Sequence, residues 1–202
     1  MKDIVVILDA GHGKDTPGKC SPDKTLYEWQ FNREIVAMLC ERLYGLEHVQ
    51  TVILVPEEHD VSLKERVRRV NTIYHDAKIE GKEVLLISVH VNAAGCGGKW
   101  ANASGFSVWV SNNASEKSKQ FAQIAYEQAK LLDLCGNRVV PKENYWSSNF
   151  YILKNTPCPA VLTENMFQDN HDDVEFLKSE EGKDKIVDLH FNAVKKYLEL
   201  SY

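Results

Sequence analysis

The sequence has no surplus of positive charge, no paired cysteines and no long apolar run, and each absence removes a class of protein. Its 24 Lys and Arg stand against 29 Asp and Glu, a formal net charge of −5. That balance offers no general attraction to a nucleic-acid backbone or an anionic membrane, so no nucleic-acid partner is expected. No apolar stretch approaches the roughly 18 residues of a membrane-spanning helix, so no membrane insertion is expected either. Five cysteines (Cys20, Cys40, Cys96, Cys135 and Cys158) are scattered, with neither a CxxC pair nor the spacing of a disulfide framework. They read as free thiols of a reducing compartment. Residues 4–8 give only five apolar positions before Asp9, too few for a secretory signal, and no cleavage site follows. The expectation is a chain made in the cytoplasm without a signal peptide, with export by another route or after removal of a signal left open. No repeat, low-complexity tract or Pro-, Gly- or Ser-rich linker interrupts the 202 residues, which suit one domain over 1–202.

What is present is a 44% hydrophobic chain in which short apolar runs alternate with helical patterns. That alternation predicts an α/β fold, with a twisted, mostly parallel central sheet flanked by helices on both faces. The predicted strands cover 4–8, 52–55, 84–89, 106–110 and 160–163. Phe31, Ile35, Met38, Leu39 and Leu43 recur at helical spacing and predict a helix over 28–44. Ser62 with Glu65 has the form of a capping box opening a second helix, with Leu63, Val67, Val70 and Tyr74 on its apolar face. A third helix is predicted over 115–134, with Phe121, Ile124, Ala125, Leu131 and Leu132 inward, and a last one over 183–200, with Ile186, Leu189, Val194 and Leu198 inward. The glycine-rich stretch 95–105 directly follows a strand, where open α/β sheets place their sites; that position suggests a lid, which the sequence leaves open.

Residues 13–19 satisfy the phosphate-loop pattern GxxxxGK, but Cys20 stands where a Mg²⁺-binding hydroxyl is needed. Ser21-Pro22-Asp23-Lys24 then reads as a turn, not as the helix N-terminus that would cradle phosphate. Nucleotide binding is therefore rejected. A different constellation collects at strand ends. His12 lies between two glycines just past the first strand, His90 and Glu164 each follow a buried strand, and Glu28 opens the first helix. Parallel strands would bring two His and two Glu to one sheet edge. Three ligands with an open position make a catalytic zinc site, and a fourth carboxylate could move protons. By spacing alone, His12 and His90 serve equally well as turn residues, and Glu28 as a helix-dipole partner. His48, His59, His75, His171 and His190 fall on polar helix faces or in loops and read as solvated or structural.

Six blocks then resemble, in order, the zinc-dependent N-acetylmuramoyl-L-alanine amidases of the amidase-3 family. They are Val6-Ile7-Leu8-Asp9-Ala10-Gly11-His12-Gly13; Glu28 with Asn32; Ser62-Leu63 with Arg66 and Asn71; Ser88-Val89-His90-Val91-Asn92-Ala93; Asn149-Phe150-Tyr151-Ile152-Leu153; and Pro159 to Glu164. The sequence departs from the family pattern at Ala10, at Asn165-Met166-Phe167 and at Lys154. The resemblance implies one Zn²⁺ per chain on His12, Glu28 and His90, with Glu164 as the catalytic carboxylate and Asn92 and Asn149 contacting substrate. It implies hydrolysis of the bond between N-acetylmuramic acid and L-alanine in peptidoglycan, at the cell wall; the oligomeric state is left open, with a monomer as the default expectation. The rival expectations are a zinc amidase or peptidase acting on soluble muropeptides, and a non-catalytic module that binds wall fragments.

Overall fold

Two apolar runs, Ile4–Ala10 and Glu83–Asn92, are buried over almost their whole length, as expected of interior strands covered on both faces. The computed structural model describes residues 3–95 and 98–201. Its elements, in chain order, are β1 (Ile4–Ala10), α1 (Glu28–Leu43), β2 (Val49–Ile53), α2 (Leu63–Ile79), β3 (Glu83–Asn92), β4 (Ser107–Val110), α3 (Glu116–Leu131), β5 (Trp146–Ser147), α4 (Tyr151–Lys154), β6 (Ala160–Phe167), α5 (His171–Lys178) and α6 (Glu180–Ser201). The strands form one sheet in the order β2-β1-β3-β6-β4-β5. The pairs β1–β2, β1–β3 and β3–β6 are parallel, and β4 runs antiparallel to β6. The mostly parallel α/β domain expected from the sequence is thus the one observed. None of the described helices is long and apolar enough to cross a membrane.

Period-two alternation divides the interior into two cores. Val6, Leu8, Leu85, Ile87, Val89 and Val161 face α1, α3 and α6, whose Phe31, Ile35, Leu39, Phe121 and Leu189 fill that side. Val5, Ile7, Val84, Leu86, Ala160 and Leu162 face α2 and α4. Fully burying one such aliphatic side chain stabilises the fold by about 1.5–3 kcal/mol. Continued toward the carboxyl ends of the strands, the second face presents Asp9, Ser88, His90 and Glu164, polar groups where apolar ones have run out. β1 is also where the chain changes direction across the sheet, since β2 lies on one side of it and β3 on the other. A crevice outside such a switch point is the usual binding position in open α/β sheets.

Several local expectations need correction. β2 begins at Val49, because Ile4 pairs with Val49 and its N–H donates to the His48 carbonyl. Leu131 is 77% exposed because α3 ends there, and Leu63 is half-exposed because it stands at the rim of a cavity, not over the core. Ser62 caps α2 by accepting the Glu65 N–H, while the Glu65 carboxylate turns to Arg68 and Arg69. The short α4 and α5 lie in stretches for which no helix was predicted. Within 95–105, residues 96 and 97, Cys96 among them, lie outside the described residues. The neighbouring Ala94 and Gly95 N–H groups are tied to the Asp169 carboxylate, and Ala101 N–H to the Asp169 carbonyl.

His190 is on neither a polar face nor a loop. It is buried in α6, with Nδ1 on the Ile186 carbonyl at 2.7 Å and Nε2 on Thr163 Oγ1 at 3.0 Å. A carbonyl only accepts, so Nδ1 donates and Nε2 accepts the Thr163 hydroxyl. Burial pushes this imidazole down to about 4, so it is neutral at physiological pH. It braces β6 one residue before Glu164.

Candidate metal centre

The first ligand candidate is presented by an unusual piece of backbone. His12 has φ 61°, a left-handed conformation that costs a non-glycine residue about 1–3 kcal/mol unless its surroundings hold it. Here they do. The His12 carbonyl accepts from Arg33 Nη2 at 3.0 Å and Arg66 Nη2 at 3.2 Å, and the preceding Gly11 carbonyl accepts from Asn32 Nδ2 at 3.2 Å. Both flanking glycines are required sterically. A Cβ on Gly11 would lie 2.3 Å from His90 Cε1, and one on Gly13 would lie 2.1 Å from the Asp60 backbone nitrogen. Gly11→Ala is accordingly expected to displace the His90 ring and weaken metal binding by about 10–100-fold, the loss usual when the support of a ligand is removed. Competition titration with a zinc chelator checks this, and unchanged affinity would mean that the ring moves freely.

His90 lies near the end of β3, opposite Glu164 in the parallel register with β6. Immediately after this pair the register shifts, and Met166 takes φ 64°. That irregularity lets Asn165 Nδ2 donate to the His90 carbonyl at 2.9 Å. Glu28, the first residue of α1, is almost fully buried. Its Oε1 lies 3.1 Å from His90 Nδ1 and 3.4 Å from His12 Nε2, and accepts the Val91 N–H at 3.0 Å. The two imidazoles meet edge to face, with centroids 4.9 Å apart. One donor atom from each of His12, Glu28 and His90 lies within 4.8 Å of the others. These three, with Glu164, line a cavity of about 480 Å³ whose walls include Leu63, Phe150 and Tyr151.

The electrostatics of the trio are those of a carboxylate sharing its burial with two rings. Burial pushes His12 down to about 4, which keeps its imidazole neutral. Burial also opposes a charge on His90 and on Glu28, but their mutual hydrogen bond wins, holding His90 above and Glu28 below their ordinary ranges. Burial raises the Glu164 carboxyl to about 7, against the pull of His90. Two carboxylate oxygens, Glu28 Oε2 and Glu164 Oε2, are buried with no hydrogen-bond partner among the described residues. Orphaned anionic oxygens are costly unless something absent from the protein atoms satisfies them. Two imidazoles and a carboxylate are a donor set that suits Zn²⁺.

His12, Glu28, His90 and Glu164 therefore line one cavity, although β3 and β6 run on past the ends expected for them, so that His90 and Glu164 lie inside the strands and do not follow them. Asn92 also lines the cavity, although its Oδ1 is occupied by the Ala93 N–H at 2.8 Å. Asn149 is exposed and lies outside the cavity lining. The sequence reading missed Lys19, whose Nζ is 3.8 Å from Glu28 Oε2, and Arg33, which grips the His12 carbonyl. Lys19 was obscured by the phosphate-loop pattern. Arg33 sits among helix residues where an arginine looks like ordinary solvent-facing charge.

Fold and sequence together place the chain among the amidases. Residues 6–196 match the amidase-3 family, described as N-acetylmuramoyl-L-alanine amidase, and the chain belongs to that family. The N-acetylmuramoyl-L-alanine amidase CwlM of Bacillus licheniformis is 26% identical over 199 residues, covering 98% of this chain and 70% of that protein. The endolysin of Bacillus phage SPP1 is 24% identical over 201 residues, covering 97% of this chain and 66% of the phage protein. Among solved structures, the N-acetylmuramoyl-L-alanine amidase from Clostridium difficile 630 superposes with a TM-score of 0.81 at 24% identity, with 98% of each chain covered.

Proposed function

We propose that this chain is a zinc-dependent amidase that hydrolyses the bond between the lactyl group of N-acetylmuramic acid and L-alanine in peptidoglycan. The observation that carries the reading is the trio His12, Glu28 and His90, its donor atoms within 4.8 Å of one another, in one cavity with a second carboxylate, Glu164, whose Oε2 has no hydrogen-bond partner among the described residues. Family membership supplies the substrate class. His12, Glu28 and His90 would hold one Zn²⁺ per chain. Zinc bound there supplies a Lewis acid that lets water ionise near neutral pH and polarises the amide carbonyl.

The remaining work falls to the protein. Glu164 takes a proton from the attacking water and delivers it to the amine nitrogen as the C–N bond breaks, because an amide expels an unprotonated amine poorly. Glu164 is suited to this shuttle because, among the described residues, its Oε2 has no hydrogen-bond partner holding it in another orientation. Arg33 and Arg66 keep the His12 backbone in position. Leu63, Phe150 and Tyr151 give the cavity an apolar wall, and Asn92 and Asn149 would bind substrate nearby. The enzyme would act on the wall as a monomeric catalytic domain spanning 1–202.

The test is metal content per chain in protein purified without chelator or metal-binding tag, beside His12→Ala. The expected result is close to one zinc in the parent and almost none in the variant. Digestion of purified walls by the parent should expose new N-terminal alanine. A parent that stays empty when zinc is supplied would overturn the reading.

A further inference from the structure

A second cleft, of about 490 Å³, adjoins the metal centre and shares Lys19 and Ala93 with its lining. Its charge is unlike that of the chain as a whole. The protein is acidic, with a net charge of −5, and many of its lysines pair with carboxylates, including Lys14, Lys78, Lys82, Lys117, Lys119, Lys178, Lys183, Lys185 and Lys196. Three lysines nevertheless border this cleft: Lys19, Lys24 and Lys99. Among the described residues Lys24 and Lys99 have no ion-pair partner, and Lys19 has only Glu28 at 3.8 Å. The carboxylate in the lining, Asp169, is turned to the Ala94 and Gly95 N–H groups at 2.9–3.0 Å and forms no ion pair with a lysine among the described residues, so the lining keeps a surplus of positive charge.

An independent observation points to the ligand. Gln168 lines the same cleft and is only 4% exposed, yet its Oε1 has no hydrogen-bond partner among the described residues. A carbonyl oxygen in that position needs a hydrogen-bond donor, for which the N–H of a ligand serves. Lysines calling for an anion beside an acceptor calling for a donor do not suit a phosphodiester or a sulfate, which bring only acceptors. They suit a peptide, in which a carboxylate lies a few bonds from an amide N–H.

We propose that this cleft is a subsite for the peptide portion of the substrate, in which Lys24 and Lys99, with Lys19 at the junction, receive a carboxylate and Gln168 Oε1 accepts a peptide N–H. This rests on the amidase reading above and deepens it, since the cleft would lie on the peptide side of the scissile amide. The subsite makes the enzyme selective for stem peptides whose residue after L-alanine carries a free carboxylate over those in which it is amidated.

The experiment compares muramoyl-L-alanyl-glutamate whose side-chain carboxyl is blocked as an amide, leaving one free carboxylate, with the same compound in which the main-chain carboxyl is also amidated, leaving none. In the parent, kcat/KM is expected to favour the free acid about tenfold, mainly through KM, the combined effect of partly exposed charge pairs. The preference should shrink at high salt. In the Lys24→Gln/Lys99→Gln variant it should fall to within about twofold, and Lys24→Arg/Lys99→Arg should restore it, which a merely structural role for the lysines would not predict. Calorimetric binding of both compounds to zinc-loaded Glu164→Gln protein gives a readout independent of turnover. Binding that favours the acid without turnover in the parent supports the subsite and overturns the hydrolytic reading. Turnover of both compounds with equal kcat/KM, or a preference that survives the double glutamine variant, overturns the subsite and leaves the hydrolytic reading standing.

Discussion

Replacing Glu164 by Gln is expected to lower kcat by about 10²–10⁴-fold, the usual contribution of a positioned general acid–base, while zinc content and fold are retained. The argument is geometric. Glu164 faces His90 across the β3–β6 ladder but is outside the trio whose donor atoms lie within 4.8 Å. Glutamine keeps the shape and removes only the ability to take up a proton. Nor does it break an internal hydrogen bond at Oε2, since that oxygen has no partner among the described residues. Turnover of a muramoyl-peptide substrate, zinc per chain and melting temperature, measured on one preparation, separate the possibilities. A variant that keeps more than about a tenth of the parent kcat would remove Glu164 from the chemistry. One that loses its zinc would make Glu164 a fourth ligand.

Arg66→Leu is expected to destabilise the fold by about 3–5 kcal/mol, a large share of the roughly 5–15 kcal/mol that holds a domain together. Arg66 and Asp9 are nearly inaccessible, and Nη1 meets Asp9 Oδ1 at 2.6 Å. The other donors are also used: Nη1 on the Ala10 carbonyl, Nη2 on the His12 carbonyl and Asp60 Oδ1, and Nε on the Val61 carbonyl. Five donors therefore meet five acceptors. Among the described residues, leucine would leave the buried Asp9 carboxylate with the Ser88 hydroxyl, at 2.6 Å, as its one hydrogen-bond partner, and most of the cost is that uncompensated charge. The double variant Asp9→Leu/Arg66→Leu should lose less than the single one. Urea denaturation of parent, single and double variants measures both quantities, and a single-variant loss below about 1 kcal/mol would show that Asp9 finds another partner or a proton.

The two predictions show how unevenly the site was legible. Glu164 and His90 could be found because each directly follows an apolar run, where a polar residue stands out from its neighbours, and His12 because it sits between two glycines just past one. Glu28 was legible as a helix start, although its carboxylate serves the two histidines and not the helix. The first helix and the last were readable because their apolar residues repeat at helical spacing and each buries a continuous stripe. The short α4 and α5 have too few residues for a period to emerge. His190 was misjudged because an isolated histidine carries no sign of whether a ring, a carbonyl and a hydroxyl will enclose it.

Local pattern by itself determined the alternation of strands and helices, the two-sided burial of β1 and β3 and the start of α1 at Glu28, because periodicity and turn chemistry act over neighbouring residues; it ended β3 and β6 too early, since His90 and Glu164 lie inside those strands. Tertiary structure alone decided the rest. It set the strand order that brings His12 beside His90, the approach that leaves Gly11 no room for a Cβ, the five acceptors around Arg66 and the gathering of Lys19, Lys24 and Lys99 about the orphaned Gln168 oxygen. The physical reason is that each of these depends on contacts between residues distant in sequence, whose energies of packing, desolvation and charge exist only once the sheet is assembled.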